Sequence, residues 1–92
     1  MVKREEGALL QSIVLDREGQ HGLSVQICAG LRELILGGAL KVGERLPATR
    51  TLAQEFGVAR TTIVESFERL AAEGLIETRV GSGTYVSRAL AN

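Results

Sequence analysis

The run Ala53-Gln54-Glu55-Phe56-Gly57-Val58-Ala59-Arg60-Thr61-Thr62-Ile63 constrains this chain more than any other stretch. Its pattern is a helix, a sharp turn and a second helix. Ala53 puts a small side chain where two helices must cross closely. Gly57 follows four residues on, where leaving a helix calls for positive φ and a missing Cβ removes the steric cost. Val58 is expected to point back into the core, and Ile63 to anchor the second helix against the first. Two helices at a steep angle, joined by a short glycine-containing turn, form a helix-turn-helix.

The flanking sequence supplies the rest of a small domain. Leu23, Ile27, Leu31, Leu34 and Ile35 follow the rhythm of one buried helical stripe, which predicts a first helix from about Leu23 to Leu36, with Ser24 near its start and Gly37-Gly38 at its stop. Gly30 interrupts that helix at roughly 1 kcal/mol and is expected to mark a close helix contact. Arg45-Leu46 reads as a short strand before Pro47, which presets the entry to the second helix. That helix is expected over Thr49 to Phe56, with Leu52 and Phe56 inward and Thr49 as a usable cap. The third runs from about Arg60 to Glu73 on a buried stripe of Ile63, Phe67, Leu70 and Ala71, and Gly74 ends it. Two β-rich runs, residues 75–79 and 84–86, flank Val80-Gly81-Ser82-Gly83 and read as a hairpin with a glycine-rich tip. The fold class is therefore α+β, mostly α: three helices and a C-terminal hairpin. Residues 1–20 form an arm, disordered over 1–7 and packed or strand-like over 9–15. The domain proper spans 21–87, and 88–92 is a tail or the start of a linker.

Ninety-two residues make one domain, and a chain of this size buries roughly 60–65% of its unfolded surface. With two phenylalanines, one tyrosine and no tryptophan, its core must be aliphatic. Formal net charge is zero, which disfavours a bulk electrostatic coat for nucleic acid. The distribution differs from the sum: between Arg45 and Thr62 stand Arg45, Arg50 and Arg60 against the single carboxylate of Glu55. A cation sits unfavourably at the positive end of a helix dipole. Arg50 and Arg60, at the starts of two helices, thus point to an external anion. Arg69 is expected to pair with Glu65 or Glu73 along its own helix, and Tyr85 to be half-buried hairpin packing.

Cys28 is the one cysteine, so no internal disulfide framework is possible, and it reads as a small buried hydrophobe. His21 has no partner at ligand spacing and reads as a loop residue. No apolar run reaches the ~18 residues of a membrane span, and no signal-peptide core is present. A cytoplasmic protein without metal is the expectation. One histidine, one cysteine and no paired carboxylates in a cleft-forming context argue against an enzyme.

The quoted runs carry a resemblance. Leu46-Pro47-Ala48-Thr49-Arg50-Thr51-Leu52-Ala53, Gly57-Val58-Ala59-Arg60-Thr61-Thr62, Leu70-Ala71-Ala72-Glu73-Gly74-Leu75-Ile76 and Gly81-Ser82-Gly83-Thr84-Tyr85-Val86 resemble the winged helix-turn-helix domain of GntR-type transcriptional regulators. Leu15-Asp16-Arg17 and the run from Leu31 to Leu40, with Val42-Gly43-Glu44-Arg45-Leu46-Pro47, are similar to the MocR/PdxR subgroup. The resemblance covers residues 13–87.

The resemblance implies sequence-specific binding of double-stranded DNA, with the third helix in the major groove and the wing over the minor groove. Arg50 corresponds to a phosphate-contacting arginine, Arg60 with Thr61 and Thr62 to the first turn of the recognition helix, and Gly81 to the wing glycine. Thr49, Arg79 and Ser82 complete the expected contact set. An arginine can fork onto guanine O6 and N7, and helix N-terminal amides can hold phosphate. Ala48 and Ala59 stand where the family usually has a capping serine, and Val64 where some branches carry a further arginine. The resemblance also implies a homodimer in a longer regulator. Its pyridoxal 5′-phosphate would belong to a C-terminal domain outside these residues. The chain is then either the DNA-binding half of such a protein or a stand-alone remnant. The alternative is a winged-helix protein-interaction module, which predicts an exposed apolar patch and has no use for arginines at helix starts.

Overall fold

The computed structural model describes Leu10 and residues 12–91; the expectation of disorder over residues 1–7 lies outside them. Its elements are α1 (Leu23–Leu36), α2 (Thr49–Phe56), α3 (Arg60–Ala72), β1 (Ile76–Arg79), β2 (Gly83–Val86) and a final 3-10 turn, Arg88–Ala91. The helix limits fall where the apolar stripes and closing glycines placed them, with Glu73 as the cap of α3 rather than its last residue.

Mostly aliphatic side chains from the three helices, both strands and the connecting loops meet in one core. Ile27, Leu31 and Ile35 come from α1, Leu52 and Ala53 from α2, and Ile63, Phe67 and Leu70 from α3. Leu75, Ile76 and Val86 cover one end, while Leu40 and Leu46 close the loop side. Burying a side chain of this size contributes about 1.5–3 kcal/mol, so α3 is held chiefly by its inward face. That face differs from the expected stripe at one position. Ala71 is exposed, and Ser66 is wholly buried instead. The Ser66 hydroxyl reaches the Thr62 carbonyl at 3.0 Å and the Ser24 carbonyl at 2.8 Å, so this polar group is satisfied and ties α3 to the first turn of α1.

Two helices end in the same closure. At the end of α2, Val58 N–H donates to Ala53 O and Gly57 N–H to Gln54 O, with Gly57 at φ +68°. At the end of α3, Leu75 N–H donates to Leu70 O and Gly74 N–H to Ala71 O, with Gly74 at φ +79°. Both are Schellman motifs, in which a left-handed residue lets two amides satisfy the last free carbonyls. The first fixes the turn into α3 and the second turns the chain into the hairpin.

β1 and β2 pair antiparallel, Ile76 opposite Val86 and Arg79 opposite Gly83. The expected strand at Arg45-Leu46 is an isolated bridge from Arg45 to Tyr85. Hydrogen bonds from Gly43 N to Val86 O, Val86 N to Glu44 O and Leu46 N to Thr84 O seat residues 43–46 along the other edge of β2.

The segment before α1 is packed on the domain but belongs to no strand. Leu10 is wholly buried, and Ile13 and Leu15 lie against the core. A Cβ at Gly30 would stand 2.8 Å from the Ile13 side chain, so this glycine admits the arm rather than another helix. Gln26 clamps the following loop: its Oε1 accepts from Asp16 N at 2.7 Å, and its Nε2 donates to Asp16 O and His21 O. No helix among the described residues is long and apolar enough to cross a membrane.

Candidate nucleic-acid interface

α2 and α3 begin alike. Ala48 and Ala59 occupy the cap positions in extended conformation, neither offers a side-chain cap, and neither helix has an acidic residue in its first turn. Thr49 is therefore the first helical residue and not the cap that the sequence led us to expect. The earliest backbone bonds are Leu52 N–H to Ala48 O and Thr62 N–H to Ala59 O, so the amides before them are left without helical acceptors. An uncapped N-terminus with free amides and the positive end of the dipole is a ready anion site.

The freed Thr49 hydroxyl accepts a hydrogen bond from Arg60 Nε at 3.2 Å, joining the two helix starts directly. Arg60 is exposed, and the rest of its guanidinium has no partner among the described residues. Arg50, one residue past Thr49, is exposed and likewise unpartnered among them, and Thr61 is exposed beside Arg60. Thr62 is half-buried, its carbonyl taken by Ser66. Thr49, Arg50, Arg60 and Thr61 thus form one basic, hydroxyl-bearing edge. From it a groove of about 300 Å³, whose lining includes Arg60, Val64, Phe67, Thr78, Thr84 and the carboxylate-bearing Glu68, runs toward the hairpin.

The hairpin tip is built differently. Ser82 N–H donates to Arg79 O at 2.9 Å, and Gly81 has φ +77° while no non-glycine residue among those described has positive φ. That is the type II pattern, with Gly81 at the position that requires it. A Cβ on Gly81 would meet nothing within 4 Å, so its surroundings are open. Arg79 lies over the Tyr85 ring, 4.4 Å from the centroid, with Nε 3.7 Å from Glu77 Oε1. Ser82 Oγ is hydrogen-bonded to the Tyr85 hydroxyl. Arg79 and Ser82 are therefore occupied within the hairpin, and Tyr85 is the half-buried packing residue expected of it.

Two arginines outside the expected set contact the elements that carry this surface. Arg45 covers the start of β2, its Nε 2.8 Å from where a Gly83 Cβ would stand. Arg17 Nη2 donates to Phe56 O at 2.6 Å and to Gly57 O at 3.3 Å, at the end of α2. Neither contact has a periodicity or a local spacing by which sequence reasoning could find it.

On the opposite side, Arg32 Nε and Nη2 grip Glu73 Oε1 and Oε2 at 2.9 and 2.6 Å. Glu73, one of the two carboxylates expected to pair with Arg69 along α3, is thus held by α1. Hydrogen bonds from Arg32 pull the Glu73 carboxyl below its ordinary value. Burial, partly countered by the neighbouring Arg32 charge, pushes the Cys28 thiol up, which makes it a poor nucleophile. Among the described residues no group of three or more His, Cys, Asp or Glu could hold a metal ion.

The family model for bacterial regulatory proteins, gntR family, matches residues 23–86. A probable rhizopine catabolism regulatory protein, MocR, from Rhizobium meliloti is 44% identical over 75 residues, which are 82% of this chain and 15% of that protein. The chain therefore spans under a fifth of the length of that relative. Among solved structures, YtrA from Sulfolobus acidocaldarius, a GntR-family transcription factor, superposes with a TM-score of 0.77 at 31% identity, covering 87% of this chain and 98% of that one. The DNA-binding domain of AraR, solved in complex with operator ORE1, superposes with a TM-score of 0.71 at 28% identity, covering 80% of this chain and 90% of that one.

Proposed function

The chain belongs to the gntR family of bacterial regulatory proteins, and from that premise we propose that it binds double-stranded DNA sequence-specifically as the DNA-reading domain of a MocR-like transcriptional regulator. The observation that carries the reading is the shared edge of α2 and α3: two uncapped helix starts, free of carboxylates, bearing Arg50 and Arg60 and linked by the Arg60–Thr49 hydrogen bond. α3 enters the major groove, where Arg60 reads a base edge and Thr61 and Thr62 lie against it. Arg50, Thr49 and the free amides hold phosphates, and the wing lies over the minor groove with Gly81 closest to the duplex.

In this reading the domain performs no chemistry and carries no cofactor. Pyridoxal 5′-phosphate belongs to a separate domain of the longer regulator, which acts in the cytoplasm as a homodimer on two half-sites. A single copy of these 92 residues then reads one half-site weakly, with an affinity near the non-specific range, Kd about 10⁻⁴–10⁻⁶ M at physiological salt. Fluorescence anisotropy of a labelled duplex across a salt series tests it. Affinity should fall log-linearly with salt, and a nanomolar Kd for the single copy would contradict the half-site account. No binding even at about 50 mM salt, by the chain or by a tandem-linked pair, would move the domain to the protein-interaction class.

A further inference from the structure

The segment before α1 lies outside the residues matched by the family model, yet it reaches the turn that aims α3. Arg17 stands 39 residues upstream of Phe56 and donates to that residue's carbonyl at 2.6 Å and to the Gly57 carbonyl at 3.3 Å. Phe56 O is one of the last carbonyls of α2, where a cation both meets an unsatisfied acceptor and complements the negative end of the dipole. Gly57 is the left-handed residue that reverses the chain toward α3, and a Cβ there would stand 3.2 Å from the same Arg17 nitrogen. Arg17 itself is held from behind. The preceding residue, Asp16, is clamped through both its amide and its carbonyl by Gln26 of α1, and Leu10, Ile13 and Leu15 are packed against the core.

We propose that Arg17 is a positioning residue for the recognition helix: by capping the end of α2 and filling the space over Gly57, it fixes the α2–α3 turn, and so the angle at which Arg60 and Thr61 are presented. The proposal rests on the DNA-reading function above. It makes the arm part of the reading unit rather than a tether.

The test compares the 92-residue chain carrying Arg17→Met or Arg17→Lys with the wild type, using a duplex that the wild type selects from a random pool and a scrambled duplex. In Arg17→Met, affinity for the selected duplex should fall about three- to tenfold, the scale of a helix-terminal charge interaction, while the scrambled duplex is bound as before. The slope of log affinity against log salt should stay unchanged, because Arg17 neutralises no phosphate. Arg17→Lys should restore most of the loss. Hydrogen exchange, read without DNA, should quicken at Gly57 and Val58 in Arg17→Met but not in the α1 core. A slope reduced by about one would overturn the proposal by making Arg17 a phosphate contact. Equal losses on both duplexes, or unchanged exchange at the turn, would overturn it as well. If neither the wild type nor its tandem-linked pair binds any duplex, the function falls, and the exchange comparison still decides whether Arg17 holds the turn.

Discussion

The helix edge and the hairpin tip face the same proposed duplex but are made in opposite ways. The edge stands on a buried aliphatic face and leaves its polar groups free: two helix starts lack side-chain caps, and Arg50 is unpartnered among the described residues. The tip has almost no core beneath it and uses its polar groups on one another, Arg79 on Tyr85 and Glu77, Ser82 on Tyr85. A region propped from behind by apolar packing can keep its donors for a ligand. A region held together by its own side chains can offer only shape and backbone, which is what an exposed glycine at a type II turn supplies.

The largest effect should come from removing the support of the edge. Ile63→Ala, at a wholly buried position of α3, is expected to cost about 2–5 kcal/mol, which urea unfolding would read; a loss below about 1 kcal/mol would mean that the edge does not depend on its core. Next comes the pair Arg60→Ala and Arg79→Ala. Arg60→Ala should lose about 1–3 kcal/mol of binding to a selected duplex, whereas Arg79→Ala should lose less and leave the salt slope nearly intact, because its guanidinium is already placed over Tyr85. Equal salt-slope losses would erase the contrast. Smaller still is Gly57→Ala against Gly81→Ala. Each incurs left-handed strain of about 1–2 kcal/mol, but only Gly57 adds a close approach to Arg17. Thermal unfolding should therefore rank Gly57→Ala as the more damaging.

The smallest effect concerns pH and lies away from both regions. Glu73 has its folded value lowered by Arg32, so its contribution to stability is present above the unfolded glutamate value and is lost as pH falls through the lower folded one. In Arg32→Gln, that part of the acid-side decline in stability should disappear when urea midpoints are compared from neutral pH downward, while DNA binding at neutral pH is unchanged.

Much of this was legible because it is local or periodic. A stripe of Leu and Ile at helical spacing marked α1, and Gly57, Gly74 and Gly81 each stand at positive φ where a helix or hairpin had to turn. Three of the misreadings share one physical cause, contacts between residues far apart in the chain. Ser66 looks like a surface serine until the Ser24 carbonyl arrives above it. Glu73 has a neighbour in Arg69 on its own helix, yet Arg32 approaches from α1 with two parallel hydrogen bonds, a geometry that outweighs an exposed pair along one helix. Gly30 signalled a close approach but not by what, since Ile13 has no pattern that points at it. At the candidate site, Arg50, Arg60, Thr61 and Gly81 are exposed where helix starts and turn chemistry placed them. The commitments of Arg79 and Ser82 could not be seen, because they depend on which face of the hairpin Tyr85 takes.

The seat of residues 43–46 along β2 has a consequence for how the protein behaves when concentrated. A lone hairpin has two open edges, and each is a template on which another chain can extend the sheet. Here one edge of β2 is taken by β1 and the other by the hydrogen bonds of Gly43, Glu44 and Leu46. The outer edge of β1 is four residues long and carries Glu77 and Arg79, a short charged border of the kind that discourages edge-to-edge stacking. Sheet extension is thus a poor route to self-association for this domain. Two copies brought side by side on adjacent half-sites would have to meet through helices or through other parts of the regulator.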